Sequence, residues 1–211
     1  MTRVKICGLR ELDHARAAVE AGADMLGFIF YRSVRRYLEP AAARELARAL
    51  PRGRVELVGV FVNEAPAAIR EVAELVGLDL IQLSGDEAVE LTAALGRPVA
   101  RTVHVDAETT LEQIGRRAAG ARVIHLDAKQ AGQYGGTGLR IDPRVAREAA
   151  ALGPVLLAGG LDPANVADAI EMAAPWGVDV SSGVESDGRK DPARIQAFVA
   201  AVRAAGRKVS P

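Results

Sequence analysis

The stretch that decides the fold is Val155-Leu156-Leu157-Ala158-Gly159-Gly160-Leu161-Asp162-Pro163. Its first four residues form a short apolar run, typical of a strand that is buried on both faces of a parallel sheet. Gly159 and Gly160 then allow a tight turn. Asp162 followed by Pro163 is typical of a helix N-cap with proline in the first turn. The stretch therefore predicts one strand–loop–helix unit.

The same unit recurs along the whole chain. Other Asp-Pro pairs stand at residues 142–143 and 191–192, each before a stretch with helical periodicity. Strict alternation of strand and helix predicts parallel strands joined by right-handed crossovers. The eight predicted strands are Val4–Cys7, Met25–Phe30, Val55–Val62, Leu80–Leu83, Val99–Val105, Val123–Asp127, Val155–Ala158 and Val178–Ser181.

Eight such units in 211 residues average roughly 26 residues each, which suits a small (β/α)8 barrel. We therefore predict an α/β protein with the TIM-barrel fold and an all-parallel sheet. A doubly wound open sheet uses the same alternation and is the main alternative. No stretch rich in proline, glycine or serine divides the chain, so residues 1–211 are expected to form a single domain.

The composition excludes several classes of function. The 27 basic and 27 acidic residues cancel, and only 4% of residues are aromatic. Such a chain lacks the basic field and the stacking platform of nucleic-acid or membrane binders. The single cysteine forms no intramolecular disulfide and no cysteine cluster for zinc. With neither signal peptide nor membrane-span pattern, the expectation is a cytoplasmic protein that binds a small molecule.

Catalytic groups of a barrel lie at the carboxyl ends of its strands. Cys7 ends the first predicted strand, where it is either a base or nucleophile or merely a small buried hydrophobe. Asp127 ends the sixth strand, where burial would raise its pKa and make it a general acid. A helix cap or a structural salt bridge is the alternative for Asp127. A glycine-rich loop follows it instead of a helix, which favours the functional interpretation.

The loops after the last two strands favour an anion. Gly159 and Gly160 follow strand seven, and Ser182 and Gly183 follow strand eight. Glycines let main-chain N–H groups approach an anion closely, and barrels commonly hold phosphate at these two loops. Turns also require glycine, so each pair alone is a weak signal. Together the two loops predict a phosphate site.

Two further loops offer contacts to a ligand. Arg36, in the basic and aromatic loop after strand two, either holds a carboxylate by a two-pronged contact or is a solvated surface residue. Gly136, in the loop after strand six, either closes over the ligand or belongs to a plain flexible loop. The three histidines show no metal-ligand spacing, so no metal site is expected.

Six motifs together resemble the phosphoribosylanthranilate isomerase family of tryptophan biosynthesis. The resemblance runs in order from the first strand to the last. The motifs are Val4-Lys5-Ile6-Cys7-Gly8, Gly85-Asp86-Glu87, Leu126-Asp127-Ala128, Gly135-Gly136-Thr137-Gly138, Ala158-Gly159-Gly160-Leu161 and Gly177-Val178-Asp179-Val180-Ser181-Ser182-Gly183-Val184-Glu185.

The resemblance implies an Amadori rearrangement of N-(5-phosphoribosyl)anthranilate, a reaction whose proton transfers need no metal or cofactor. The balanced charge and the helices rich in alanine and arginine suit a monomer or a homodimer. The resemblance implies that Cys7 is the general base, Asp127 the general acid and Arg36 the ligand of the anthranilate carboxylate. It also implies that Asp179 lies close to the substrate and that the glycines of loops seven and eight hold the phosphate.

Two positions depart from the family pattern. Val34-Arg35-Arg36 stands where the family usually has Ser-Pro-Arg, so Arg35 competes with Arg36 as the carboxylate ligand. Ser84 stands where histidine is frequent. The alternatives are the related isomerase of histidine biosynthesis, which has an aspartate base on strand one, and a barrel that binds a phosphorylated ligand without catalysis.

Overall fold

The computed structural model describes residues 1–51, 53–128 and 141–208. Eight parallel strands close into a barrel in sequence order, and β1 pairs with both β2 and β8. Closure confirms the predicted TIM barrel and rules out the open sheet. The strands are β1 (Arg3–Cys7), β2 (Met25–Ile29), β3 (Glu56–Phe61), β4 (Leu80–Leu83), β5 (Val99–Val105), β6 (Val123–Ala128), β7 (Val155–Leu157) and β8 (Gly177–Val180).

Helices cover the outside of the barrel, one after each strand. They are α1 (Leu12–Ala21), α2 (Pro40–Arg48), α3 (Pro66–Val76), α4 (Leu91–Ala94), α5 (Leu111–Arg117), α6 (Pro143–Ala149), α7 (Val166–Ala173) and α8 (Pro192–Lys208). Among the described residues, no helix is long and apolar enough to cross a membrane.

Two of the three Asp-Pro pairs begin helices as predicted. The Asp142 side chain accepts the main-chain N–H of Arg144 at 2.9 Å, at the start of α6. Asp191 caps α8 in the same way. The prediction for Asp162 was wrong, because its carboxylate caps a separate turn and α7 begins only at Val166.

The barrel interior is layered. Its lower layer is apolar and fully buried, and it closes the barrel below the polar layer. The members of this layer are Met25, Val58, Leu80, Ala100, Val123 and Leu156. Above it lies a buried polar layer, and its members are Lys5, Gln82, Thr102, His125 and Asp179. The polar layer is therefore the base of any pocket that opens at the carboxyl ends of the strands.

One small element interrupts the regular alternation. After β8, a 3-10 turn at Ser182–Val184 leads into a hairpin of two short antiparallel strands, β9 (Glu185–Ser186) and β10 (Arg189–Lys190). The hairpin lies between β8 and α8 in the chain. It brings Glu185 and Lys190 to the carboxyl-end face of the barrel.

Candidate active site

A pocket opens at the carboxyl ends of the strands. Most of the residues that the sequence singled out line it. They are Cys7, Arg36, Asp127, Gly159, Gly160, Asp179 and Ser182. Gly183 lies one residue beyond Ser182 and does not line the pocket, and Gly136 falls outside the described residues. The structure thus brings the predicted acid, base and anion-binding positions to one cavity.

Cys7 lies at the end of β1 and is 6% exposed. Its neighbour in register on β2 is Gly27, where a Cβ atom would come within 2.9 Å of the Cys7 sulfur. Burial raises the pKa of the Cys7 thiol above its ordinary value, and the Lys5 ammonium opposes that shift. The missing side chain at Gly27 therefore leaves room for the thiol, and the buried Lys5 ammonium favours its ionised form.

Asp127 lies at the end of β6, also 6% exposed. Its Oδ1 accepts the main-chain N–H of Ala128 at 2.9 Å. Burial raises the pKa of the Asp127 carboxyl above its ordinary value of 3.8, and His125 and His104 act in the opposite direction. A carboxyl group in this environment stays protonated to higher pH than an exposed one, as a general acid must.

The floor of the pocket is a hydrogen-bonded chain of buried polar side chains. Lys5 Nζ lies 2.8 Å from Asp179 Oδ2, and His125 Nε2 lies 2.9 Å from the same oxygen. His125 Nδ1 is 3.0 Å from Thr102 Oγ1, which is 2.8 Å from Ser84 Oγ. Burial alone would raise the pKa of Asp179, but Lys5 and His125 hold it at about 2.

Sequence reasoning missed the role of this floor. Lys5 and His125 each stand two residues before a candidate catalytic residue, Cys7 and Asp127 respectively. Alternate residues of a strand point to the same face, so this spacing was the available signal. Ser84 also lines the pocket, and His104 lines it beside Ser84. An imidazole therefore faces this wall from β5, although the family's frequent histidine on β4 is a serine here.

Arg36 and Arg35 have different surroundings. The Arg36 side chain is 15% exposed and lines the pocket, whereas the Arg35 side chain is 53% exposed and does not. Arg36 is held by Glu185, with Nε 2.7 Å from Oε1 and Nη2 3.1 Å from Oε2. Arg35 bonds to the same Glu185 carboxylate and to the carbonyl oxygen of Gly188 at 2.6 Å. Only Arg36 is therefore placed to meet a ligand.

Glu185 was not predicted as a site residue, and it anchors this side of the pocket. Besides the two arginines it accepts Lys190 Nζ at 2.9 Å. Burial alone would raise the pKa of Glu185, but Arg36 and Lys190 lower it to about 2. Because Glu185 and Lys190 lie on the hairpin, the loop after β2 and the segment after β8 are joined by ion pairs.

The loops after β7 and β8 touch through their backbones. Gly159 and Gly160 have φ values of 88° and 60°, a region that favours glycine. A Cβ at Gly183 would overlap the carbonyl oxygen of Leu161. Across the described ranges, the N–H groups of Gly159 and Gly160 donate to no main-chain carbonyl. Within those ranges, two main-chain donors at the pocket edge therefore have no main-chain acceptor.

A closed parallel barrel with a polar pocket at its strand ends places the chain in the class of (β/α)8-barrel enzymes. The sequence profile described as "N-(5'phosphoribosyl)anthranilate (PRA) isomerase" matches residues 4–201. The chain belongs to this family. It is an intramolecular aldose–ketose isomerase of tryptophan biosynthesis, acting on N-(5'-phosphoribosyl)anthranilate.

Individual relatives agree with this assignment. The isomerase of Roseiflexus sp. (strain RS-1) is 48% identical over 215 residues, which cover 98% of this chain and 100% of the relative. The Thermotoga maritima enzyme has a TM-score of 0.89 and 38% identity, covering 97% and 100% of the two chains; it is described as dimeric. A third structure contains reduced 1-(o-carboxyphenylamino)-1-deoxyribulose 5-phosphate, with TM-score 0.85, 37% identity and the same coverage.

Proposed function

We propose that residues 1–211 form one domain, a monomer or a homodimer, in which Cys7 is the general base and Asp127 the general acid of the isomerisation. One observation carries this proposal: a thiol and a carboxyl group from the ends of β1 and β6 line the same pocket. Asp179 and His125 are engaged with each other in the floor network, and Arg36 is engaged in an ion pair with Glu185.

The proposed chemistry consists of proton transfers only. Asp127 donates its proton to the furanose ring oxygen, the C1′–O4′ bond breaks, and a protonated Schiff base forms. The Schiff base acidifies the proton on C2′, and the Cys7 thiolate removes it to give an enolamine. The enolamine gains a proton at C1′ and loses one from the C2′ hydroxyl, which gives the aminoketose. No step requires a metal or a redox cofactor.

We propose that Arg36 binds the anthranilate carboxylate. Glu185 occupies the edge of the guanidinium that carries Nε and Nη2. In the part of the chain that the structure describes, nothing bonds to Nη1. A carboxylate can therefore pair with the second edge while Glu185 keeps the guanidinium plane fixed.

We propose that the phosphate is held at the ends of β7 and β8 by main-chain N–H groups of Gly159 and Gly160, together with Ser182. The lack of a main-chain acceptor for these N–H groups among the described residues and the positive φ values of the two glycines support this role. Gly183 contributes indirectly, because its missing Cβ lets the two loops touch. Asp179 would face the sugar, since its Oδ1 is buried without a partner among the described residues.

The direct test follows the loss of fluorescence of freshly made phosphoribosylanthranilate. We expect the Cys7→Ala variant to lose a factor of order 10² or more in kcat, because general-base catalysis is removed. Val34→Ala, which truncates another pocket-lining residue, is the matched control and should retain most activity. Near-wild-type turnover by Cys7→Ala would overturn the assignment of the base.

A further inference from the structure

The floor of the pocket holds a lysine with no access to solvent. Lys5 is 0% exposed and stands two residues before Cys7 on β1, so both side chains point into the barrel. An ammonium group is costly to bury unless it is paired and hydrogen-bonded. The partners of Lys5 therefore indicate why the chain places a charge at this depth.

Lys5 has two partners at the floor. Its Nζ lies 2.8 Å from Asp179 Oδ2. The second partner is Cys7, which lies two residues further along the same face of β1 and whose pKa the Lys5 ammonium lowers. Asp179 is fixed in turn by His125, whose Nε2 lies 2.9 Å from the same Oδ2. The ammonium is thus held between a permanent anion and a group that becomes an anion only when it acts as a base.

Packing alone does not explain the pair. The layer directly below fills the barrel with apolar side chains such as Met25 and Leu80. Buried ion pairs add little net stability compared with well-packed apolar residues of similar volume. A Lys–Asp pair immediately under Cys7 is consequently better explained by its effect on the thiol than by its contribution to folding.

We infer that Lys5 is a positioning residue of the reaction: its buried ammonium is the counter-ion of the Cys7 thiolate, and Asp179 and His125 hold the ammonium in place. This inference rests on the proposed role of Cys7 as the base. While Cys7 is a thiol, Lys5 and Asp179 cancel in charge. When the thiol ionises, the ammonium is shared between two anions.

The charges around Cys7 shift its pKa in the directions expected if Lys5 is the counter-ion of the thiolate. Burial raises the pKa of the thiol, Lys5 and then Lys190 lower it, and Asp179 raises it. The register neighbour of Cys7 on β2 is Gly27, which carries no charge. Among the described residues, the remaining charged or titratable groups that line the pocket are Tyr31, Arg36, His104, His125 and Asp127.

The test measures how fast iodoacetamide alkylates Cys7 as a function of pH. Cys7 is the only cysteine of the chain, so the reaction reports one thiol without any turnover. Lys5→Met keeps the length of the side chain but removes the charge. Its alkylation midpoint should move to higher pH, with a rate about tenfold or more below wild type at pH 8.

Asp179→Asn is the second variant and should move the midpoint in the opposite direction, to lower pH. It also keeps the inference testable if Lys5→Met fails to fold. Arg203→Met is the control, because it breaks the ion pair of Arg203 with Asp24, near the amino ends of β1 and β2, and should leave the midpoint unchanged.

An unchanged midpoint in folded Lys5→Met, or an upward shift in Asp179→Asn, would overturn the inference. If the Lys5–Asp179 pair were purely structural, both variants would be less stable, and their alkylation midpoints would not move in opposite directions. The role of Cys7 as base is tested separately by the turnover of Cys7→Ala. A failed base assignment and a failed counter-ion assignment are therefore told apart.

Discussion

At the scale of single residues, the position of the Cys7 thiol depends on the absence of a side chain at Gly27. Cys7 and Gly27 are neighbours in register on β1 and β2. A Cβ at position 27 would lie 2.9 Å from the Cys7 sulfur and 3.1 Å from its Cα. Both distances are shorter than normal contacts, so an added methyl group must displace the thiol or its strand.

We therefore expect Gly27→Ala to lower kcat by about 10², since a displacement of the base near 1 Å has this order of effect. Gly115→Ala is the matched control. Gly115 lies inside α5, and its new Cβ would meet only Leu152, at 3.6 Å. This variant should therefore keep full activity. Equal kcat values for the two variants would contradict the described position of Cys7.

Arg36 and Arg35 give a second test at this scale. Removing a charge-assisted contact costs about 1.5–3 kcal/mol, so Arg36→Ala should weaken substrate binding by one to two orders of magnitude. Arg36→Lys should recover little, because a point charge lacks the two-pronged geometry. Arg35→Ala should change KM less. A larger effect of Arg35→Ala, measured side by side, would reverse the assignment.

At the scale of elements, the regular alternation of strands and helices could be predicted from the sequence, whereas the irregular elements could not. The predicted strands Leu80–Leu83 and Val99–Val105 match β4 and β5 in the structure, because buried parallel strands are short apolar runs between turns. The β9–β10 hairpin has two residues per strand, too few for any periodicity. Its residues Glu185 and Lys190 are brought to Arg36 only by tertiary structure.

The candidate site follows the same division. Positions at strand ends, such as Cys7 and Asp127, could be predicted because the barrel rule selects them from the sequence. The spacing of Lys5 and His125 shows which face of the strand they occupy, but their pairing with Asp179 could not be predicted, because it joins β1, β8 and β6. These pairings are 174 and 54 residues apart in sequence, and only closure of the barrel brings them together.

The contact between the loops after β7 and β8 supplies the prediction at this scale. Gly183→Ala places a methyl group against the Leu161 carbonyl, and the backbone of one loop must move. We expect KM to rise at least about tenfold, because the N–H groups of Gly159 and Gly160 shift relative to Ser182. Competitive inhibition by inorganic phosphate should weaken in parallel. Unchanged inhibition would mean that the phosphate group of the substrate binds elsewhere.

At the scale of the whole molecule, the barrel brings the proposed acid Asp127 and the proposed base Cys7 to one pocket. In the proposed mechanism the reactive form carries a proton on Asp127 while Cys7 is a thiolate. Burial raises the pKa of Asp127 above its ordinary value of 3.8 and the pKa of Cys7 above its ordinary value of 9.0.

The profile of kcat/KM against pH should therefore be bell-shaped, with both limbs above these ordinary values. Below the lower limb both groups are protonated and no base exists; above the upper limb both are ionised and no acid exists. In Cys7→Ser the hydroxyl does not ionise, so residual activity should only fall as Asp127 loses its proton. An acidic limb at or below pH 3.8 in the wild-type enzyme would contradict the raised pKa of Asp127.

The central claim is that Cys7 and Asp127 perform proton transfers rather than hold the substrate. The most direct measurement determines kcat and the affinity for the reduced product analogue together, in Asp127→Asn and in Cys7→Ala. We expect kcat to fall by about 10² or more in each variant, while the Kd of the analogue changes by less than about fivefold. A variant that loses affinity but keeps its kcat would contradict the claim for that residue.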